Sequence, residues 1–157
     1  MNIYKNFLDK KDFKNLKDKI MGDYMPWYFN DGVNKTTDKN FQFIFNFLTN
    51  ERKCIDEHFN ILKPLLNKIN VKKFNRIKAN LLTKTNKITE NGMHIDQPKG
   101  TTGIFYINNC NGYTKFETGE KIKSEENKYV EFNSTLKHTG SSCTDKNRRV
   151  VINFNYV

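Results

Sequence analysis

The sequence is poor in the residues that build small extracellular scaffolds. Its 157 residues include only three cysteines, three prolines and one tryptophan. Cys54, Cys110 and Cys143 are odd in number and widely spaced. That excludes a disulfide framework and a paired zinc knuckle, and reads as reduced thiols. No stretch approaches the roughly 18 consecutive apolar residues of a membrane span, and the opening MNIYKNFLDKKDFK lacks the apolar run of a signal peptide. The expectation is a soluble, unsecreted, cytoplasmic protein, in the host cytoplasm if the chain is viral. Acidic residues are missing from one whole region: none occurs from His58 to Thr89, where Lys63, Lys68, Lys72, Lys73, Arg76, Lys78, Lys84 and Lys87 all fall. Two readings fit such a run, a contact surface for a polyanion or acidic substrate, and a solvated face in a chain of net charge +10.

What is abundant is aromatic. Thirteen Phe and seven Tyr concentrate a 36% apolar content in large rings, so a packed core is expected despite a mean hydropathy of -0.79. The length suits one domain spanning residues 1–157. Phe7, Leu8, Phe13, Leu16, Ile20 and Met21 recur near a helical period and stop at Gly22, which predicts an amphipathic helix. YMPWYFNDG reads as an aromatic strand, and FQFIFNF alternates Phe41, Phe43, Phe45 and Phe47 along one strand face. A second helix is expected in ERKCIDEHFNILKPLLNKI, divided or kinked at Pro64.

From there the pattern changes to short strands. NRIKANLLTKT sets Ile77, Ala79 and Leu81 inside against Arg76, Lys78 and Asn80 outside. GIFYIN, GYTKFE, EKIKS, NKYVEFN and RRVVINFNYV follow, separated by Asn-Gly, Thr-Gly and Glu-Glu-Asn turns, with Gly112 expected at a positive φ. Helices first and strands afterwards predict an α+β fold in which helices buttress one face of a β-sandwich, with support over about 1–73 and the β core over about 74–157.

Within the β-rich half stands MHIDQP, where His94 and Asp96 lie two residues apart and on an extended backbone point the same way. His138 follows in LKHTG, at the end of the NKYVEF strand. Two histidines and one carboxylate make the facial triad of non-haem iron sites, which leaves positions open for substrate and oxygen. Alone, an H-x-D pair is weak evidence. Arg148 and Arg149 open the last strand ten residues later, and an arginine turned into a β-barrel is costly unless it meets an anion. Its planar fork suits a carboxylate better than a lysine does.

These residues resemble the double-stranded β-helix (jelly-roll) oxygenases that use Fe(II) and 2-oxoglutarate, in their prolyl-hydroxylase-like branch, whose small free-standing members occur in bacteria and viruses. The resemblance is firmest from Arg76 to Val157. It rests on the order His94, Asp96, His138, Arg149, on Ile104-Phe105-Tyr106-Ile107-Asn108 after the H-x-D, and on the register Arg149, Ile152, Phe154, Tyr156. It implies Fe(II) held by His94, Asp96 and His138, and 2-oxoglutarate held at its distal carboxylate by Arg149 and the Tyr106 hydroxyl, with Asn153 as a further polar contact. It also implies dioxygen as cosubstrate, and hydroxylation of a C–H bond with succinate and CO2 as coproducts. A protein or peptide side chain such as proline is the substrate it suggests. Met93 and Thr139 depart from common residues on the substrate side, so substrate identity does not transfer with the motif.

Other candidates read as structural. His58 falls on a polar helix face, Trp27 beside Pro26 suits a core, and Cys143 suits a loop better than an iron ligand. Two competing functions stay open. An oxygenase acting on nucleic acid would use the basic run 63–87 and show strong salt dependence. A non-catalytic jelly-roll binding module would need none of the triad.

Overall fold

A computed structural model describes residues 1–33, 40–49 and 52–157. The chain begins with β1 (Asn2–Tyr4) and α1 (Lys10–Met21), followed by β2 (Tyr28–Asn30) and β3 (Gln42–Leu48). Next come α2 (Asp56–Asn60), α3 (Lys63–Ile69) and β4 (Phe74–Thr83). The remainder is β5 (Thr101–Tyr106), β6 (Tyr113–Phe116), β7 (Lys121–Lys123), β8 (Lys128–Asn133), β9 (His138–Gly140) and β10 (Arg148–Tyr156).

The helix boundaries follow from capping chemistry. Asp9 accepts a hydrogen bond from the Asp12 N–H at 2.9 Å and starts α1, which buries Leu16 and Ile20 and ends at Gly22. Pro64 sits in the first turn of α3, where a missing N–H costs nothing, so the expected second helix is two short ones. No helix among the described residues is long and apolar enough to cross a membrane.

The strands form two antiparallel sheets. The large one runs β1-β8-β5-β10-β4-β3-β2 and the small one β7-β6-β9. Isolated bridges Glu90↔Ser141 and His94↔His138 lay the segment before β5 alongside β9, as an irregular fourth strand of the small sheet. The four central strands β8-β5-β10-β4 then face β7-β6-β9 and this segment, which is the double-stranded β-helix arrangement. The three-residue strands β1 and β9 escaped the sequence reading, whereas β2 and β7, equally short, lie inside segments that read as strands. His138 accordingly opens its own strand instead of ending β8.

The large sheet separates two apolar cores. On its helix side Leu16, Ile20, Leu65, Ile77, Ala79, Phe105, Ile152 and Phe154 pack together with Phe45 and Phe47. Phe43 joins them half-buried, whereas Phe41 stays exposed. Between the sheets Ile104, Tyr106, Phe116, Ile122, Val130, Phe132 and Val151 form a smaller cluster at one end of the lumen. The other end of the lumen is polar.

Candidate metal and carboxylate site

His94 and His138 are brought together by the backbone before any side chain is considered. The His94 N–H donates to the His138 carbonyl at 3.0 Å and the His138 N–H returns the bond at 2.9 Å. Directly opposed residues of an antiparallel pair share a face, and the two rings lie 4.7 Å apart. Each Nδ1 lies against a carbonyl two residues back, Gly92 at 3.2 Å and Leu136 at 3.1 Å. Donation from Nδ1 fixes the tautomer that leaves the Nε2 lone pair free for a metal. Those Nε2 atoms lie 3.8 Å and 3.7 Å from the two oxygens of Asp96.

Asp96 is almost wholly buried, yet well satisfied. Arg76 donates to Oδ1 at 2.9 Å, while Thr102 and Asn155 donate to Oδ2 at 2.9 and 3.1 Å. Burial by itself would raise the carboxyl pKa, but charge on His138 and Arg76 and the bonds from Asn155 and Thr102 outweigh it, so the pKa falls. Burial likewise lowers the pKa of His94, helped by His138 and opposed by Asp96. The set offers two imidazole nitrogens and a carboxylate within 4.8 Å of one another. Its chemistry fits a divalent first-row metal, with hydrogen-bonded partners behind the ligands.

Strand alternation carries Arg149, Val151, Asn153 and Asn155 of β10 into the lumen and turns Arg148 the other way. Arg148 donates to the Met21 carbonyl at the end of α1. Arg149 is 4% exposed, and its guanidinium donates to Ser124 Oγ at 2.7 Å and Thr114 Oγ1 at 3.1 Å, with Tyr106 beneath it at 5.7 Å. A Cβ on Gly112 would sit 2.7 Å from Arg149 Cδ, so that glycine is required by close approach. Its φ is not positive, contrary to the expectation from turn chemistry. Among the described residues Arg149 has no acidic partner within ion-pair distance. A buried cation of this kind is stable only if an anion joins it.

Tyr106 is fully buried, and its hydroxyl donates to Thr114 Oγ1 at 2.8 Å. Burial raises its pKa, with Arg149 and Thr114 opposing, so it remains a neutral phenol. Thr114 lines the cavity and Tyr106 does not. Because the Thr114 oxygen accepts from both Tyr106 and Arg149, its own proton is free to point at a ligand.

A cavity of ≈ 260 Å³ joins the triad to Arg149. Its walls include Arg76, Lys78, Asn80 and Leu82 of β4, Asn153 of β10 and Gln42 of β3. Arg76, Lys78 and Asn80 were expected outside; they face the lumen, because polar alternation looks the same whether the polar face meets water or a polar cavity. Burial pushes the Lys78 ammonium down to about 8, with Arg76 adding to the fall and Asp96 resisting it. The other basic side chains of the 63–87 run do not line this cavity, and Lys63, Lys68, Lys72, Lys73, Lys84 and Lys87 are exposed. Cys143 lies with Cys110 and Asp145, apart from the triad. Trp27 packs on the helix-side core, and His58 is half-buried against the Phe45 ring at 5.3 Å. The triad supports Thr102 and Asn155, and the Arg149 partners Thr114 and Ser124, were not anticipated. Asn155 alone had a signal, lying six residues from Arg149 on the same strand face.

The fold is similar to those of several solved structures. A prolyl hydroxylase from Trichoplax adhaerens, in complex with a hypoxia inducible factor oxygen degradation domain peptide fragment, matches with a TM-score of 0.71 at 17% identity over 99% of this chain and 82% of that one. A Pseudomonas putida prolyl-4-hydroxylase matches at 0.62 and 12%, over 99% and 91% of the two chains. A non-heme alpha ketoglutarate dependent epimerase from nogalamycin biosynthesis matches at 0.67 and 8%, over 97% and 76%. At these identities the likeness is one of fold. No family model and no curated protein sequence matches the chain.

Proposed function

We propose that the chain is an Fe(II)- and 2-oxoglutarate-dependent oxygenase that hydroxylates a C–H bond, most simply of a protein or peptide side chain such as proline. The observation that carries this reading is a buried Arg149 with no acidic partner among the described residues, in the same cavity as a two-histidine, one-carboxylate cluster. A metal site alone fits many functions. A metal site joined to a desolvated carboxylate receptor asks for an anionic cosubstrate beside the metal.

His94, Asp96 and His138 would hold the iron, and Arg149 with Thr114 would hold the distal carboxylate of 2-oxoglutarate, with Tyr106 supporting Thr114 from behind. Bound there, Fe(II) with dioxygen supplies the oxidation, in which the substrate C–H gains a hydroxyl while 2-oxoglutarate becomes succinate and CO2. The protein's own part is positional. The paired His94 and His138 backbones fix two ligands, and Arg76, Thr102 and Asn155 keep the third ionised and aimed. The apolar lumen end of Ile104, Val151 and Val130 keeps water from the cosubstrate. The solved fold relatives include both prolyl hydroxylases and an epimerase, so hydroxylation and the choice of proline belong to this proposal.

The test is succinate formation from 2-oxoglutarate in air with Fe(II), with and without pooled proline-containing peptides. The reading requires metal-dependent succinate in wild type, stimulation by a true substrate, and loss of both in Asp96→Ala. Turnover that survives that change would remove the triad from the chemistry.

A further inference from the structure

Most polar side chains in the lumen are held by one another. Arg76 and Asn155 hold Asp96, and Arg149 is held by Ser124 and Thr114. Three are different. Lys78 and Asn80 of β4 and Asn153 of β10 all line the cavity, and among the described residues none of their side chains makes a hydrogen bond or ion pair. Asn153 Oδ1 is shut away from solvent without a donor. The three are contiguous, since Lys78 stands directly across from Asn153 in the strand pairing and Asn80 is the next lumen-facing residue on β4. They form a polar row between the Arg76–Asn155 pair that holds Asp96 and the Arg149 end of the cavity.

Buried polar atoms are rarely left unpaired, so Asn153 Oδ1, with the unpaired Lys78 and Asn80 side chains beside it in the cavity wall, marks a place where something else completes the bonding. The charge balance says what. Arg76, Lys78 and Arg149 line the cavity as cations, and among the described residues Asp96 is the only acid lining it. Arg76 is matched by Asp96 at 2.9 Å, and the distal carboxylate of the cosubstrate accounts for Arg149. Lys78 is left over, beside a site that will also hold a dication. An ammonium with two primary amides next to it offers donors to both oxygens of a carboxylate, and an amide oxygen to a neighbouring N–H.

We propose that Lys78, Asn80 and Asn153 form a second carboxylate-binding row, separate from Arg149 and adjacent to the metal ligands. This rests on the oxygenase reading. The carboxylate comes either from the metal-side end of 2-oxoglutarate or from the primary substrate, which would then be an acid.

Two titrations decide the matter, using anaerobic Fe(II)-loaded wild type, Lys78→Met, Lys78→Arg, Asn153→Ala and Arg149→Met, each checked for folding by circular dichroism. In the first, 2-oxoglutarate is compared with levulinate, which keeps the keto group and distal carboxylate but carries a methyl in place of the metal-side carboxylate. If the row holds that carboxylate, Lys78→Met weakens 2-oxoglutarate binding about tenfold or more, leaves levulinate unchanged, and Lys78→Arg recovers part of the loss. In the second, N-acetyl-glutamate α-amide and N-acetyl-glutamine α-amide, which differ only in a side-chain carboxylate against an amide, are titrated with 2-oxoglutarate at saturation and again without it. If the row serves the substrate, wild type prefers the acid about tenfold or more, and Lys78→Met and Asn153→Ala erase the preference. Wild-type behaviour of Lys78→Met and Asn153→Ala in both titrations overturns the row, even when Arg149→Met shows the cosubstrate site to be real. Should wild type bind no 2-oxoglutarate at all, the oxygenase reading falls, and the acid-against-amide comparison still decides the row.

Discussion

On the helix side of the seven-stranded sheet, Ile77, Ala79, Phe105, Ile152 and Phe154 are 0% exposed and belong to one apolar core. On the lumen side, the same strands β4 and β10 present Arg76, Lys78, Asn80, Arg149, Asn153 and Asn155. Period-two alternation places both sets within a single run of residues, one side chain to each face in turn. The first face buries area and fixes the fold. The second spends some of that stability to hold charges out of water, a cost tolerated where a ligand will pair them. Stability and chemistry can therefore be perturbed separately, by choosing odd or even positions on one strand.

The largest effect should come from the apolar face. Phe154→Ala removes a fully buried ring from the middle of β10 and should destabilise the fold by about 3–5 kcal/mol in urea denaturation. A loss well below that range would mean this core is not what holds the two layers together. Its neighbour on the other face should behave in the opposite sense. Lys78 ionises at about 8 in the folded protein and at its ordinary, higher value when unfolded, so between those pH values the unfolded chain binds more protons. Stability of the ligand-free protein should then rise as pH increases through that window, by something on the order of 2–3 kcal/mol. Lys78→Met should flatten the rise and be the more stable protein at neutral pH. A less stable Lys78→Met would show that the ammonium has a partner in solution.

A smaller effect is expected behind the triad. Asn155→Ala deletes one of the bonds to Asp96 Oδ2 and leaves His94, Asp96 and His138, the proposed ligands, in place. Losing such a support typically costs about 10–100-fold in metal affinity, measurable by competition with a chelator, with the unfolding midpoint of the metal-free protein changed far less. The smallest belongs to the exposed surface of the small sheet. There Glu90 is drawn down to about 2 by hydrogen bonds from Lys115 and Tyr113, against slight desolvation. Its contribution is present above the ordinary glutamate range and fades as pH falls toward 2. Because the network is solvated, Glu90→Gln should cost under about 1 kcal/mol in thermal unfolding at neutral pH.

The same alternation explains what was legible in the sequence. Strands β4, β5, β8 and β10 announce themselves through apolar residues at every second position, and α1 through its helical apolar period and its stop at Gly22. His94, Asp96, His138 and Arg149 were visible because their chemistry is unusual at that spacing. The inward turn of Arg76, Lys78 and Asn80 was not, because a polar residue opposite an apolar one carries no sign of what it faces. Thr114 and Ser124 were hidden for another reason. They reach Arg149 only because β6 and the turn after β7 fold over it, a long-range consequence that no local pattern encodes. Strand β9, three residues long, offered too little alternation to separate it from β8.

Arg148 and Arg149 put the contrast of the two faces into adjacent residues, one bonded to the end of α1 and the other closed in beside the cavity. The most direct measurement is an anaerobic titration of 2-oxoglutarate into Fe(II)-loaded wild type, Arg148→Met and Arg149→Met, following the absorption that develops as the keto acid binds the metal, with iron content determined in each. Losing a charge-assisted bidentate contact should weaken binding in Arg149→Met by about 2–4 kcal/mol, roughly 30- to 1,000-fold, with iron content unchanged. Arg148→Met should bind 2-oxoglutarate nearly as wild type does. Equal losses in the two variants, or a larger one from Arg148→Met, would contradict the assignment of the lumen face as the ligand site.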